Sequence, residues 1–311
     1  MELSLLLMEQ IVSMALMVLM GFVLVKTGHL KSSDGRVLSV LTVYIICPCV
    51  IIDSFQIEFS QEKLHGLVVA FVAALTAQLV LILLGHFLRK PMKLSPVEYA
   101  SFIYSNGGNL LIPLVSSILG DEYVFYTCAF IGAQNLFMWT HGVMVLGGHT
   151  QSWKKILLTP NIIAIFVGLI LFLARISLPE VVGVTLEKVG DTNGPVCMFL
   201  IGTLMADARM REVFGKAQNY LVCFGRLIVS PLLFALGIRL SGITLGDPNL
   251  KQVLWVTFLA LSAPVAVSVT QISNLYGSPE AARRASTINV MSVVFCMTTM
   301  PLMTLVYQAV C

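Results

Sequence analysis

Ten mostly apolar runs, each long enough as a helix to reach across or nearly across a membrane, follow one another along this 311-residue chain. Short polar links separate them. A hydrocarbon layer about 30 Å thick is crossed by about 20 helical residues at 1.5 Å each. The runs are Leu5–Lys26, Arg36–Phe55, Leu67–Leu88, Pro96–Leu119, Tyr123–Leu146, Asn161–Ile176, Glu187–Ala206, Lys216–Leu240, Lys251–Tyr276 and Ala281–Val310. With 57% hydrophobic and 11% charged residues, against about 25% charged in a soluble domain, too little polar side chain remains to cover a water-facing surface. The expectation is an all-α polytopic membrane protein. Several runs open on start signals: Ser95-Pro96-x-Glu98 offers an N-cap, a first-turn proline and a capping-box acid, and Thr159-Pro160 and Ser278-Pro279 repeat the first two.

The net charge of +3 is spread along the chain and gives no footing for nucleic acid. The seven cysteines form no C-x-x-C and no zinc spacing with histidine, so neither metal nor cofactor is expected. The first run has no Lys or Arg before it and no cleavage pattern after it, which predicts a retained helix. With the N-terminus outside, 13 of the 19 Lys and Arg fall on the inner side, 5 on the outer side, and Arg226 within the eighth run. The positive-inside rule then predicts a multi-pass protein of the plasma or inner membrane with both termini outside.

Breakers recur with a period. The step from Gly21 to Pro48 equals the step from Gly168 to Pro195. Pro113 then follows Pro48, and Pro264 follows Pro195, at nearly equal distances. Five spans per copy is odd, so residues 1–150 and 151–311 read as two inverted five-helix repeats, a pattern shared by many secondary transporters. The fourth run contains Tyr104-Ser105-Asn106-Gly107-Gly108-Asn109-Leu110-Leu111-Ile112-Pro113, and the ninth Ser262-Ala263-Pro264-Val265-Ala266. Each glycine costs about 1 kcal/mol in a helix interior, and a proline removes a donor. Broken helices at membrane depth need protein or a water-filled cavity to satisfy their backbone. Their N-terminal ends carry about half a positive charge, which suits a carboxylate oriented by Asn106, Asn109, Ser268 and Gln271.

Those same segments carry a resemblance to the auxin efflux carrier family, of the bacterial type. It rests on Asn106-x-Gly108 with Pro113, on Ser262-Ala263-Pro264-x-Ala266 leading to Leu275-Tyr276-Gly277, and on Thr298-Thr299-Met300-Pro301. Leu111 stands where the family pattern usually has glycine. The resemblance implies ten helices in an architecture like that of sodium/proton antiporters and bile-acid transporters, with broken helices 4 and 9 crossing at their middles. It implies a scaffold of helices 1, 2, 6 and 7 through which such carriers can form homodimers, and a transport bundle of helices 3–5 and 8–10. It places Asn106, Pro113 and Pro264 at the crossing, and it implies an efflux carrier for a small organic anion working by an elevator motion.

Other polar residues have two readings each. Gln134, Asn135, Thr287 and Asn289 either pack helices together or border the substrate. Arg226 either snorkels to the inner face or attracts the anion. His141 is a hydrogen-bonded structural residue or a proton relay. Asp191 and Asn193 cap a helix break before Gly194-Pro195 or hold a cation. Competing functions are a sodium-coupled symporter of the bile-acid type, a membrane sensor on a transporter scaffold, and an intramembrane enzyme. The last lacks H-E-x-x-H, a G-x-S-x-G elbow and paired aspartates on facing spans.

Overall fold

The computed structural model describes residues 2–107, 110–147, 157–206, 210–243 and 248–310. Most of them are helical, in the order α1 Glu2–Lys26, α2 Ser32–Ser54, α3 Gln61–Arg89, α4 Pro96–Ile103, α5 Leu111–Leu119 and α6 Val124–Phe137. There follow α7 Pro160–Ala174, α8 Glu180–Gly190, α9 Asn193–Ala206, α10 Met210–Phe214, α11 Ala217–Ser241, α12 Pro248–Ser262, α13 Val267–Tyr276 and α14 Pro279–Val310. Among them α2, α3, α11 and α14 are long and apolar enough to cross a membrane by themselves. The outward faces are apolar as well: Val68, Val72, Leu79 and Leu83 on α3, and Ile163, Phe166, Ile170 and Leu173 on α7, are all exposed. Such faces need lipid rather than water.

Local signals explain the boundaries. Glu98 N donates to Ser95 Oγ (3.3 Å) and Ser95 N to a Glu98 carboxylate oxygen (2.8 Å), closing the expected capping box at α4. Ala281 N donates to Ser278 Oγ at 3.1 Å, capping α14. Three π-turns lie in the described residues: Thr42–Ile46 in α2, Met138–Gly142 continuing α6, and Gly225–Val229 in α11. Two of them closely precede a proline, Pro48 and Pro231. A proline ring collides with the carbonyl four residues back, and the wider turn relieves that collision without ending the helix.

The seventh run departs from expectation. The sequence predicts a single helix over Glu187–Ala206; instead α8 starts at Glu180, and the chain turns at Asp191 and Thr192 before α9. Pro195 falls in the first turn of α9, where its missing donor costs nothing.

The chain packs as two units. One comprises residues 1–68, 108–132 and 153–207, the other 69–107, 133–152 and 208–311. In the first unit α1 lies along α9. A Cβ on Gly21 would sit 2.4 Å from Phe199 O, and one on Gly202 would sit 2.1 Å from Val18 O. Glycine on both helices is what lets the backbones meet. Gly168 of α7 likewise admits the Phe55 ring that follows α2, which would lie 2.5 Å from an added Cβ. Phe55 meets Phe125 edge-on at 4.9 Å, and Phe125 lies 5.0 Å from Phe172.

In the second unit α14 runs against α13, α12, α11 and α4. Trp255 stacks on Tyr307 at 5.9 Å, and the Tyr307 hydroxyl donates to Lys251 O at 2.7 Å. Two ion pairs tie the start of α14 to its neighbours: Arg284 Nε to Glu98 (3.1 Å) and Arg283 Nε to Glu212 (2.8 Å).

Candidate functional site

Within the second unit both expected breaks are present, and they are bonded to each other. α4 stops at Ile103 and α12 at Ser262; Ser105 and Val265 then face each other in an isolated antiparallel bridge. Asn106 N donates to Pro264 O at 2.8 Å, and Ala266 N to Tyr104 O at 3.0 Å. In that geometry the peptide groups of Ser105 and Val265 point away from the partner segment. All of this backbone is buried, and a buried peptide group without a partner costs about 1–3 kcal/mol.

Side chains meet the whole demand. Gln134 of α6 donates from Nε2 to Ser105 O (2.8 Å), and its Oε1 accepts from Ser105 N (3.1 Å) and Ser105 Oγ (2.9 Å). Across the bridge, Asn289 Nδ2 of α14 donates to Val265 O at 2.7 Å, and Val265 N donates to Ser292 Oγ at 3.0 Å. Gln78 Nε2 of α3 adds a further donor to Gln134 Oε1 at 3.3 Å.

The carbonyl ends of the two halted helices are taken by Arg226. Its Nη1 donates to Ile103 O (3.0 Å), its Nη2 to Ala260 O (3.2 Å) and its Nε to Ala263 O (3.3 Å). The side chain is fully buried, so it does not snorkel. Among the described residues no carboxylate pairs with it. The π-turn Gly225–Val229 carries Arg226, and the π-turn Met138–Gly142 carries His141. His141 is held by two phenols, Tyr104 at 2.8 Å and Tyr99 at 3.2 Å, and the Tyr104 hydroxyl also donates to Phe137 O at 3.0 Å.

The expected site residues separate accordingly. Asn106 and Pro264 are buried at the bridge, and Gln134 is buried with its amide committed to Ser105. Ser268, half-buried, is in the first turn of α13; Gln271 is exposed on the same helix, and Asn135 is half-buried on α6. Pro113 belongs to the first unit, where it lies in the opening turn of α5 and lines a cavity of about 500 Å³ with Asp53, Asp191 and Asn193. Asn109 lies outside the described residues. Asn193 accepts weakly from the Cys47 and Cys197 thiols. The sequence did not disclose what Arg226 holds or that Ser105 pairs with Val265, although an arginine inside an apolar run singled out the residue.

A second cavity of about 930 Å³ opens in the second unit beside the two ion pairs, lined by Glu98, Arg284, Glu212, Arg283, Lys216 and Tyr276 among others.

Exposed apolar helix faces, two helices broken at buried positions, and an interior polar network built to satisfy the freed backbone define a membrane transporter. A family model described as membrane transport protein matches residues 6–150 and 144–304. The chain belongs to that family, the auxin efflux carrier family, as its motifs had indicated. A search of curated proteins finds no match.

Proposed function

We propose that this protein is a secondary transporter that carries a small organic anion, such as a carboxylate or auxin-like acid, out of the cell. In this reading ten helices form two inverted repeats, residues 1–150 and 151–311, with both termini outside. Helices 1, 2, 6 and 7 are the scaffold and homodimer contact, and helices 3–5 and 8–10 move as an elevator. The observation that carries the reading is the bond between the two breaks, Ser105 with Val265. Irregular backbone of this kind is kept at membrane depth where it serves a ligand or ion path. The matching service of the two breaks by α6 and α14, the last helices of the two copies, supports the inverted repeat.

Asn106 is the residue to test. If it orients a carboxylate, Asn106→Ala raises the dissociation constant for succinate or indole-3-acetate about 5- to 150-fold, since a hydrogen bond to a charged group is worth about 1–3 kcal/mol. The melting temperature changes little. Unaltered affinity with a loss of several degrees would make Asn106 a packing residue and remove the site from the bridge.

A further inference from the structure

Arg226 is a charged side chain with no exposed surface, and what it touches gives it a task beyond packing. Each α-helix carries about half a negative charge at its C-terminal end. Two such ends, those of α4 and α12, meet at the bridge, and Arg226 bonds to the carbonyls of both. One guanidinium therefore balances about one unit of negative charge drawn from two helices. The opposite kind of end is left over. α13 begins at Val267, directly after the bridge, and has no acidic residue in its first turn. Its positive end, worth about half a charge, is therefore offset by no acidic side chain of its own first turn. With Arg226 the balance of charge at the bridge is positive. Without it the sign reverses.

We propose that Arg226 sets the charge preference of the crossing: by neutralising the carbonyl ends of α4 and α12 it leaves a positive site that admits anions and rejects neutral or cationic analogues. This rests on the anion-carrier reading and deepens it. Arg226 does so without touching the ligand. It is a specificity-determining residue that acts through the helix ends it holds. Lysine keeps the charge but cannot span three carbonyls on two helices with a planar fork, so charge and geometry are separable.

The experiment compares matched acids and amides, succinate with succinamide and indole-3-acetate with indole-3-acetamide, by equilibrium binding to the purified full-length protein in lipid nanodiscs. The unaltered protein is expected to prefer the acid of at least one pair. Arg226→Gln should lower that acid-to-amide ratio about tenfold or more, whereas Arg226→Lys should retain a preference for the acid with weaker binding of both members. A folded Arg226→Gln protein with an unchanged ratio overturns the proposal, because loss of packing alone weakens acid and amide together. Should Arg226→Gln fail to fold, Ser268→Asp decides. It leaves Arg226 in place and sets a carboxylate in the first turn of α13, and it should erase the preference; a preference that survives overturns the proposal. If the unaltered protein prefers neither acid, the anion-carrier reading itself falls and this inference with it. An acid preference indifferent to all three substitutions removes only the role of Arg226.

Discussion

At the first break one side chain, Gln134, serves both outward-facing peptide groups of Ser105, whereas at the second the same service to Val265 is divided between Asn289 and Ser292. The breaking residues differ too. Pro264 sits inside the second break and its carbonyl accepts the bond from Asn106. Pro113 sits past the first break, third in α5, where a helix has no intrahelical use for a donor. The same backbone problem is thus solved once by concentration and once by division. Concentration makes the first break the more fragile of the two.

That contrast can be broken by measuring unfolding of the purified protein. Gln134→Ala should be the most damaging single change. It orphans a buried donor and a buried acceptor together, at about 2–6 kcal/mol if each costs about 1–3 kcal/mol. Asn289→Ala and Ser292→Ala orphan one group each and should cost about 1–3 kcal/mol apiece. Their double variant should approach Gln134→Ala. A Gln134→Ala protein no less stable than Ser292→Ala would refute the asymmetry. Pro264→Ala should come next: it restores a donor within the break and loosens the chain by about 0.4–1 kcal/mol, with slower transport in proteoliposomes as its clearer sign. Pro113→Ala should be the mildest, below about 1 kcal/mol and with transport close to unaltered. If Pro113→Ala instead slowed transport as much as Pro264→Ala, the two prolines would have equivalent roles after all.

Much of this was legible in the sequence because it is written locally. Apolar runs, Ser-Pro starts and the Ser95/Glu98 box place most helix ends within a few residues, and clustered Gly, Asn and Pro marked both breaks. What could not be read was whatever depends on which distant segments meet. Nothing near Ser105 in the chain names Val265, which lies far along the sequence, as its partner. Gln134 looked like any amide in an apolar run, able to face substrate or a neighbouring helix, until Ser105 was seen to consume it. Arg226 stood out as a charge in an apolar run, but its targets come from two other helices. The split between α8 and α9 was missed for a simpler reason: Asn193-Gly194-Pro195 reads as a break to be capped within one run, although its proline suits the start of a new helix.

The π-turn in α11 also has an angular meaning. It contains one residue more than a regular α-helical turn, and each residue advances a helix by about 100°. Upstream, the buried positions are Asn219, Val222 and Cys223; the turn itself buries Gly225, Arg226 and Leu227; downstream they are Ser230, Pro231, Ala235 and Ile238. Ser230 still continues the first series, and from Pro231 onward the buried positions run one residue ahead of it. Excising a single residue from this turn would straighten the helix and rotate its two ends out of phase. Either Arg226 or the Ala235 face would then turn outward toward the lipid, never both inward together. The extra residue is the angular adjustment that lets one apolar helix bury a guanidinium midway and still finish with its packing face turned inward.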